Sequence, residues 1–267
     1  MINWSEKKSY DYRDLVEIVR ILRHPGGCPW DQEQTHASIR RNLLEEAYEA
    51  AEAIDRDDLA GLREELGDVL LQVYFHASIE EDAGRFTLDD VADGVCKKLI
   101  YRHPHVFGEV NVRSTQEVLS NWEELKKKEK HQATRADELD AVARTLPALW
   151  RAEKVQKKAV RAGAPWGGWD AAMDKLAEEL GEVKAAAAGE GDLSEEVGVL
   201  LLVTVCACAA AGVDPEQALH ANIDKDIARF RRVEELAAGQ GKTTDKLSRE
   251  EFMDLWTQAK AQLKQSH

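Results

Sequence analysis

Apolar residues return at helical spacing over long, proline-free stretches of the chain. Leu43, Leu44, Ala47, Tyr48, Ala51 and Ile54 fall on one helix face, and Leu62, Leu66, Val69, Leu70 and Val73 repeat the pattern shortly afterwards. The segment between them, from Asp55 to Leu59, is short, so the spacing predicts two helices packed antiparallel as a hairpin. No convincing period-two pattern of a strand appears. Prolines fall in loops, at Pro25, Pro29, Pro104, Pro147, Pro165 and Pro215, and the stretches between them are rich in Ala, Leu, Glu, Lys and Arg. The predicted fold class is all-α.

The pattern of the first half comes back in the second. NLLEEAYEAAEAI (42–54) resembles DKLAEELGEVKAA (174–186), and REELGDVLLQVYFHA (63–77) resembles SEEVGVLLLVTVCAC (194–208), in the same order. A Trp in a turn-like stretch precedes each pair, CPWD at 28–31 and APWGGW at 164–169. A basic helix follows each, KKLIYR at 97–102 and DKDIAR at 224–229, and Trp122 and Trp256 close the halves with Lys126 and Lys260 four residues on. This reads as duplication of one helical unit. The expected division is an N-terminal unit over 1–128, a linker over 129–143 within the polar stretch KKKEKHQATRADELD (126–140), and a C-terminal unit over 144–267.

The longest uncharged run, Val197 to Val213, is 17 residues. That is below the ~20 strongly apolar residues of a spanning helix, so a buried core helix is expected and no membrane partner. The N-terminal MINWSEKKSYDYRD has no apolar leader, and Cys28, Cys96, Cys206 and Cys208 make no C-x-x-C pair, which suits free thiols in a cytoplasmic protein. A net charge of −14 repels nucleic acid and anionic membranes, so a polyanionic ligand needs a metal or a local basic pocket.

Glu46 and Glu49 stand three residues apart, as do Glu65 and Asp68, so each pair leaves one helix face. Facing helices would gather four carboxylates, hard ligands for Mg²⁺ or Mn²⁺. A lone E-x-x-E is most often a solvated helix face. Two pairs on consecutive helices, the second beside Leu66, Val69 and Leu70, with a further copy downstream, point to a cation site, because crowded carboxylates are costly without one. A di-iron centre would want Glu-x-x-His on each of two helices, and the chain offers only Glu33 with His36, in a loop-like stretch. Lys98 and Arg102 align on one face as a candidate phosphate grip or, equally, a salt-bridged surface.

CPWD (28–31), EEAYE (45–49), EELGD (64–68), RHPHVFG (102–108) and NWEELK (121–126) together resemble the MazG nucleoside triphosphate pyrophosphohydrolases, in their two-domain form and over nearly the whole chain. The resemblance implies an all-α fold, a homodimer of helix bundles, and Mg²⁺-dependent hydrolysis of nucleoside triphosphates to monophosphate and pyrophosphate, clearing them from the nucleotide pool. Carried over by position, Glu46, Glu49, Glu65 and Asp68 are metal ligands and Glu45 an outer carboxylate or base. Lys98, Arg102 and Lys126 contact phosphate, and Trp30 and Trp122 are candidates for base stacking or, equally, core and interface aromatics. Tyr101 stands where the family usually has the first of two arginines.

The second copy keeps Glu179, Glu182 and Glu196 but has Val199 at the fourth ligand position, and valine binds no cation. Lys175, Lys225, Arg229 and Trp256 remain as candidate substrate contacts, with an altered lead-in, Ile223-Asp-Lys-Asp226. Two-domain relatives are generally thought to work through the second copy, whereas ligand count favours the first. The expectation is a main active site in the first unit. The rival readings are a nucleotide-binding regulatory or partner-binding protein that has lost turnover, and a helical scaffold with solvated acidic faces.

Overall fold

In this computed structural model the described residues are 4–129, 134–164 and 168–265. They fall into two compact units, Met1–Lys126 and Lys127–His267, and contain helices and no strand.

The first unit holds α1 (Tyr12–Arg23), α2 (Pro29–Glu33), α3 (His36–Asp55), α4 (Leu59–Asp82), α5 (Leu88–Arg102), α6 (Pro104–Phe107) and most of α7 (Thr115–Glu129). Local chemistry sets these limits. Thr35 accepts from the Ser38 amide while the Ser38 hydroxyl accepts from the Thr35 amide, which starts α3; Thr87 and Asp90 do the same for α5. Asp58 caps α4 by accepting from the amides of Ala60 and Gly61. Asp57, with φ of 54°, takes the left-handed conformation that lets a three-residue turn reverse the chain. The predicted hairpin is thus α3 against α4. CPWD, expected as a loop, forms the short helix α2, because Pro29 occupies its first position, where a missing N–H costs nothing.

The core of this unit is Val19, Ile39, Tyr74 and Phe75, with Leu15, Val16, Leu71, Ile79 and Leu88 around it. Arg20 and Arg23 fasten α1 to the end of α4 through Glu81 and Asp82, each at 2.8 Å. Arg23 is buried over the Phe75 ring, 5.0 Å from its centroid, and also donates to the Asp31 carbonyl at 2.9 Å. Arg23→Ala removes all three contacts and leaves Asp82 with only the imidazole of His24, at 4.0 Å. It is expected to cost about 3 kcal/mol in urea unfolding, and an unchanged midpoint would refute the role.

The second unit holds α8 (Arg135–Asp140), α9 (Ala148–Arg161), α10 (Trp169–Ala187), α11 (Leu193–Ala210), α12 (Pro215–Gly239), a short 3-10 turn (Thr244–Lys246) and α13 (Arg249–Gln265). The polar stretch read as a linker contains α8, started by a capping box of Thr134 and Asp137. Of the APWGGW motif, Pro165, Trp166 and Gly167 lie outside the described residues; Gly168, at φ of 109°, precedes α10 and Trp169 opens it. α10 and α11 form the second hairpin, and Val233, Ala237, Leu255 and Ala259 make the α12–α13 core.

The expectation that the Val197–Val213 run is a buried core helix needs correction. α11 is long and apolar enough to cross a membrane by length and composition, but within its unit it buries only Val203, Val205 and Ala207. Val197, Leu201 and Leu202 are exposed, because α9 and α10 cover one side only. On the first hairpin Leu44, Tyr48, Leu66, Leu70 and Val73 are likewise exposed.

Candidate metal centre

The α3–α4 hairpin brings carboxylates from both helices together. One oxygen each of Glu46, Glu49 and Glu65 lie within 4.8 Å of one another, a spacing that small rotamer changes would close around an ion with oxygen bonds of about 2.1 Å. Asp68 stands outside that trio, but its charge acts on both Glu46 and Glu65. Burial, then the negative charges of Asp68 and Glu49, raise the Glu46 carboxyl above the ordinary glutamate range. Burial, then Glu49 and Asp68, do the same to Glu65. Such mutual repulsion fits a site built to take a cation. Glu45 is exposed and accepts from Arg41 at 2.7 Å, outside the cluster.

The α10–α11 hairpin repeats the arrangement: one oxygen each of Glu179, Glu182 and Glu196 lie within 4.8 Å. Its electrostatics differ. Lys175 reaches Glu179 at 2.6 Å and Glu178 at 2.8 Å. This ammonium group, helped by a hydrogen bond from Glu182, holds the buried Glu179 carboxyl below its usual range, while the Glu182 carboxyl is raised because it shares that bond with charged Glu179. Val199 faces a cavity of about 540 Å³ together with Lys175, Glu178, Gln156, Leu202 and Cys206. The lysine contact was readable as an i, i+4 pair; in the first unit Asn42 stands four residues before Glu46 in its place.

The basic and aromatic candidates sit on other helix pairs. On α5 and α7, Arg102 is buried and lies over the Trp122 ring at 5.3 Å, and His103 meets the same ring edge-on at 4.9 Å. On α12 and α13, Arg229 lies over Trp256 at 6.0 Å, with Phe252 stacked on that tryptophan. The duplication therefore extends to an Arg–Trp pair in each unit. Neither pairing was foreseen from sequence, since the partners are far apart along the chain. Lys98 is half-buried on α5, Lys126 lies 3.7 Å from Glu123, Lys225 is exposed, and Trp30 stands exposed on α2.

The MazG nucleotide pyrophosphohydrolase domain family matches residues 34–107, the span of both carboxylate helices and α5. The nucleoside triphosphate pyrophosphohydrolase of Escherichia coli is 40% identical over 253 residues, covering 93% of this chain and 96% of the relative. The chain belongs to the MazG family. The MazG nucleoside triphosphate pyrophosphohydrolase/pyrophosphatase of Thermotoga maritima is also 40% identical, over 251 residues, covering 93% of this chain and 95% of its own. A solved MazG-related protein from Thermotoga maritima, 33% identical, covers 43% of this chain and 98% of its own, with a TM-score of 0.38.

MazG membership makes the chain a hydrolase, and the raised carboxyls give a measurable handle on its first unit. A carboxyl raised above 4.5 in the fold holds its proton more tightly folded than unfolded. Metal-free stability therefore grows as pH falls through the raised value and shrinks as pH rises through it. At pH 7.5 in EDTA, Glu46→Gln is expected to raise Tm by about 2–4 °C. Mg²⁺ should raise the wild-type Tm and do little for the variant. Thermal melts checking this would refute the strained cluster if the variant melted lower.

Proposed function

We propose that the chain hydrolyses nucleoside triphosphates to monophosphate and pyrophosphate with a divalent cation, Mg²⁺ or Mn²⁺, held by Glu46, Glu49, Glu65 and Asp68. The observation that carries this reading is the carboxylate trio with Asp68 beside it on the α3–α4 hairpin, in a chain alike over its length to enzymes named for that activity. A bound divalent ion would supply charge neutralisation of the triphosphate and a lowered pKa for the attacking water. The four carboxylates hold and orient it. Lys98 and Arg102 take phosphate charge, and Trp122, already under Arg102, offers its ring to the base. Glu45, free of the trio, is the candidate that orients water.

The exposed apolar positions on both hairpins, Tyr48, Leu66 and Leu70 on one and Val197 and Leu201 on the other, support assembly as a homodimer through helix-bundle faces. Four free cysteines and strong negative charge support a cytoplasmic enzyme that thins the nucleoside triphosphate pool without binding nucleic acid. Val199 and Lys175 favour a lesser role for the second unit, nucleotide binding with weaker cation affinity.

The test is product analysis from a panel of ribo- and deoxynucleoside triphosphates, with Mg²⁺ and with EDTA. Equimolar monophosphate and pyrophosphate, lost in EDTA, are expected. Binding without pyrophosphate release would overturn the reading and favour the regulatory one.

A further inference from the structure

Away from the carboxylates, the open end of the α3–α4 hairpin is closed by a chain of four polar side chains. Nδ1 of His36 and Nδ1 of His76 face each other at 2.7 Å, with the rings stacked at 5.0 Å and 12°. Nε2 of His36 meets the buried carboxylate of Glu80, which also receives two hydrogen bonds from Arg85, one of them at 2.7 Å. Nε2 of His76 is buried without a partner.

This geometry dictates where protons sit. Arg85 and then His36 hold the Glu80 carboxyl down to about 2, so Glu80 can only accept and His36 must carry its proton on Nε2. The Nδ1 of neutral His36 is then a lone pair, and His76 donates to it from its own Nδ1. One proton added to the pair is tolerated as a charge beside Glu80, at the expense of placing an N–H on the partnerless His76 Nε2. A second proton sets two N–H groups against each other at 2.7 Å, and the contact must break. Burial, then the neighbouring His36 charge, already lower the His76 imidazole below its usual 6.5.

We infer that His36 and His76 form a proton-sensitive latch that positions the carboxylates of the α3–α4 hairpin for the cation. His36 is the first residue of α3, ten residues before Glu46, and His76 lies eight residues after Asp68 on α4. Opening the latch acts along about 15 Å of helix and loosens the facing of the two acidic pairs. The other charged groups at this end are held elsewhere. On α1, Arg20 and Arg23 are taken by Glu81 and Asp82, with His24 at 4.0 Å from Asp82. Asp90 of α5 is held by Thr87, and Arg40 of α3 is exposed to solvent.

This inference rests on the reading of the carboxylates as cation ligands, and two readouts separate them. Nitrogen-detected NMR of the imidazoles at pH 8 should show His36 protonated on Nε2 and His76 on Nδ1; the reverse tautomer on His76 overturns the latch whatever the metal does. Mn²⁺ affinity by calorimetry between pH 7.5 and 5.5 should fall about tenfold more steeply in the wild type than in His76→Asn, which cannot titrate. His36→Gln keeps a donor toward Glu80 and should show the same shallow profile, which guards against a folding defect in either variant. Parallel profiles with binding intact overturn the latch alone. No Mn²⁺ binding by the wild type at pH 7.5 overturns the carboxylate reading and the latch with it.

Discussion

Asp68→Ala is expected to lower kcat/KM for pyrophosphate release by about a hundredfold or more, a loss of roughly 3 kcal/mol of transition-state stabilisation. The reason is geometric. Glu46, Glu49 and Glu65 already crowd one side of the site, and Asp68 is the group whose charge reaches both Glu46 and Glu65 from α4. Removing it leaves three carboxylates, the number the second unit has. Glu182→Ala in that second unit should cost less than threefold, because Lys175 already neutralises Glu179 and Val199 gives no fourth ligand. Steady-state pyrophosphate release on both variants decides the matter. A large loss in Glu182→Ala with little change in Asp68→Ala would move the chemistry to the second unit.

Val199→Asp should do the opposite in the second unit. Its side chain faces the same cavity as Lys175 and stands one turn beyond Glu196, so an aspartate there adds the fourth oxygen on the correct face. The expected result is a gain of about tenfold in Mn²⁺ affinity at that unit, seen as a second site in calorimetry. A cost accompanies it: a new carboxylate in a half-buried position destabilises the metal-free protein. If a single weak site persisted, Lys175 rather than the missing ligand would be what keeps the cation out.

Much of this was legible in the sequence for a local reason. α3 and α4 announce themselves through apolar spacing. The carboxylate trio follows because its members are three apart on one helix and its two helices are joined by a short turn. What sequence did not show depends on contacts between distant positions. His36 meets Glu80 across 44 residues, and Arg102 covers Trp122 only once α5 and α7 are placed. The buried α11 was expected from hydropathy alone, but hydropathy says that a face wants cover and not that the same chain supplies it. The short helix α2 was missed because Pro29 reads as a breaker unless it stands at a helix start.

Lys175 gives the duplicated halves unequal freedom to change. In the first hairpin, on the proposed reading, the crowded carboxylates would be relieved by a cation from solution, which would tie each of them to one shared ion. In the second, the chain brings its own ammonium group to Glu179 at 2.6 Å. With that internal counter-charge present, Glu179 has its repulsion relieved without an ion, and Val199 at the fourth position adds none. The lysine is therefore the kind of neighbour that lets one copy of a duplicated site drift while the fold around it stays intact.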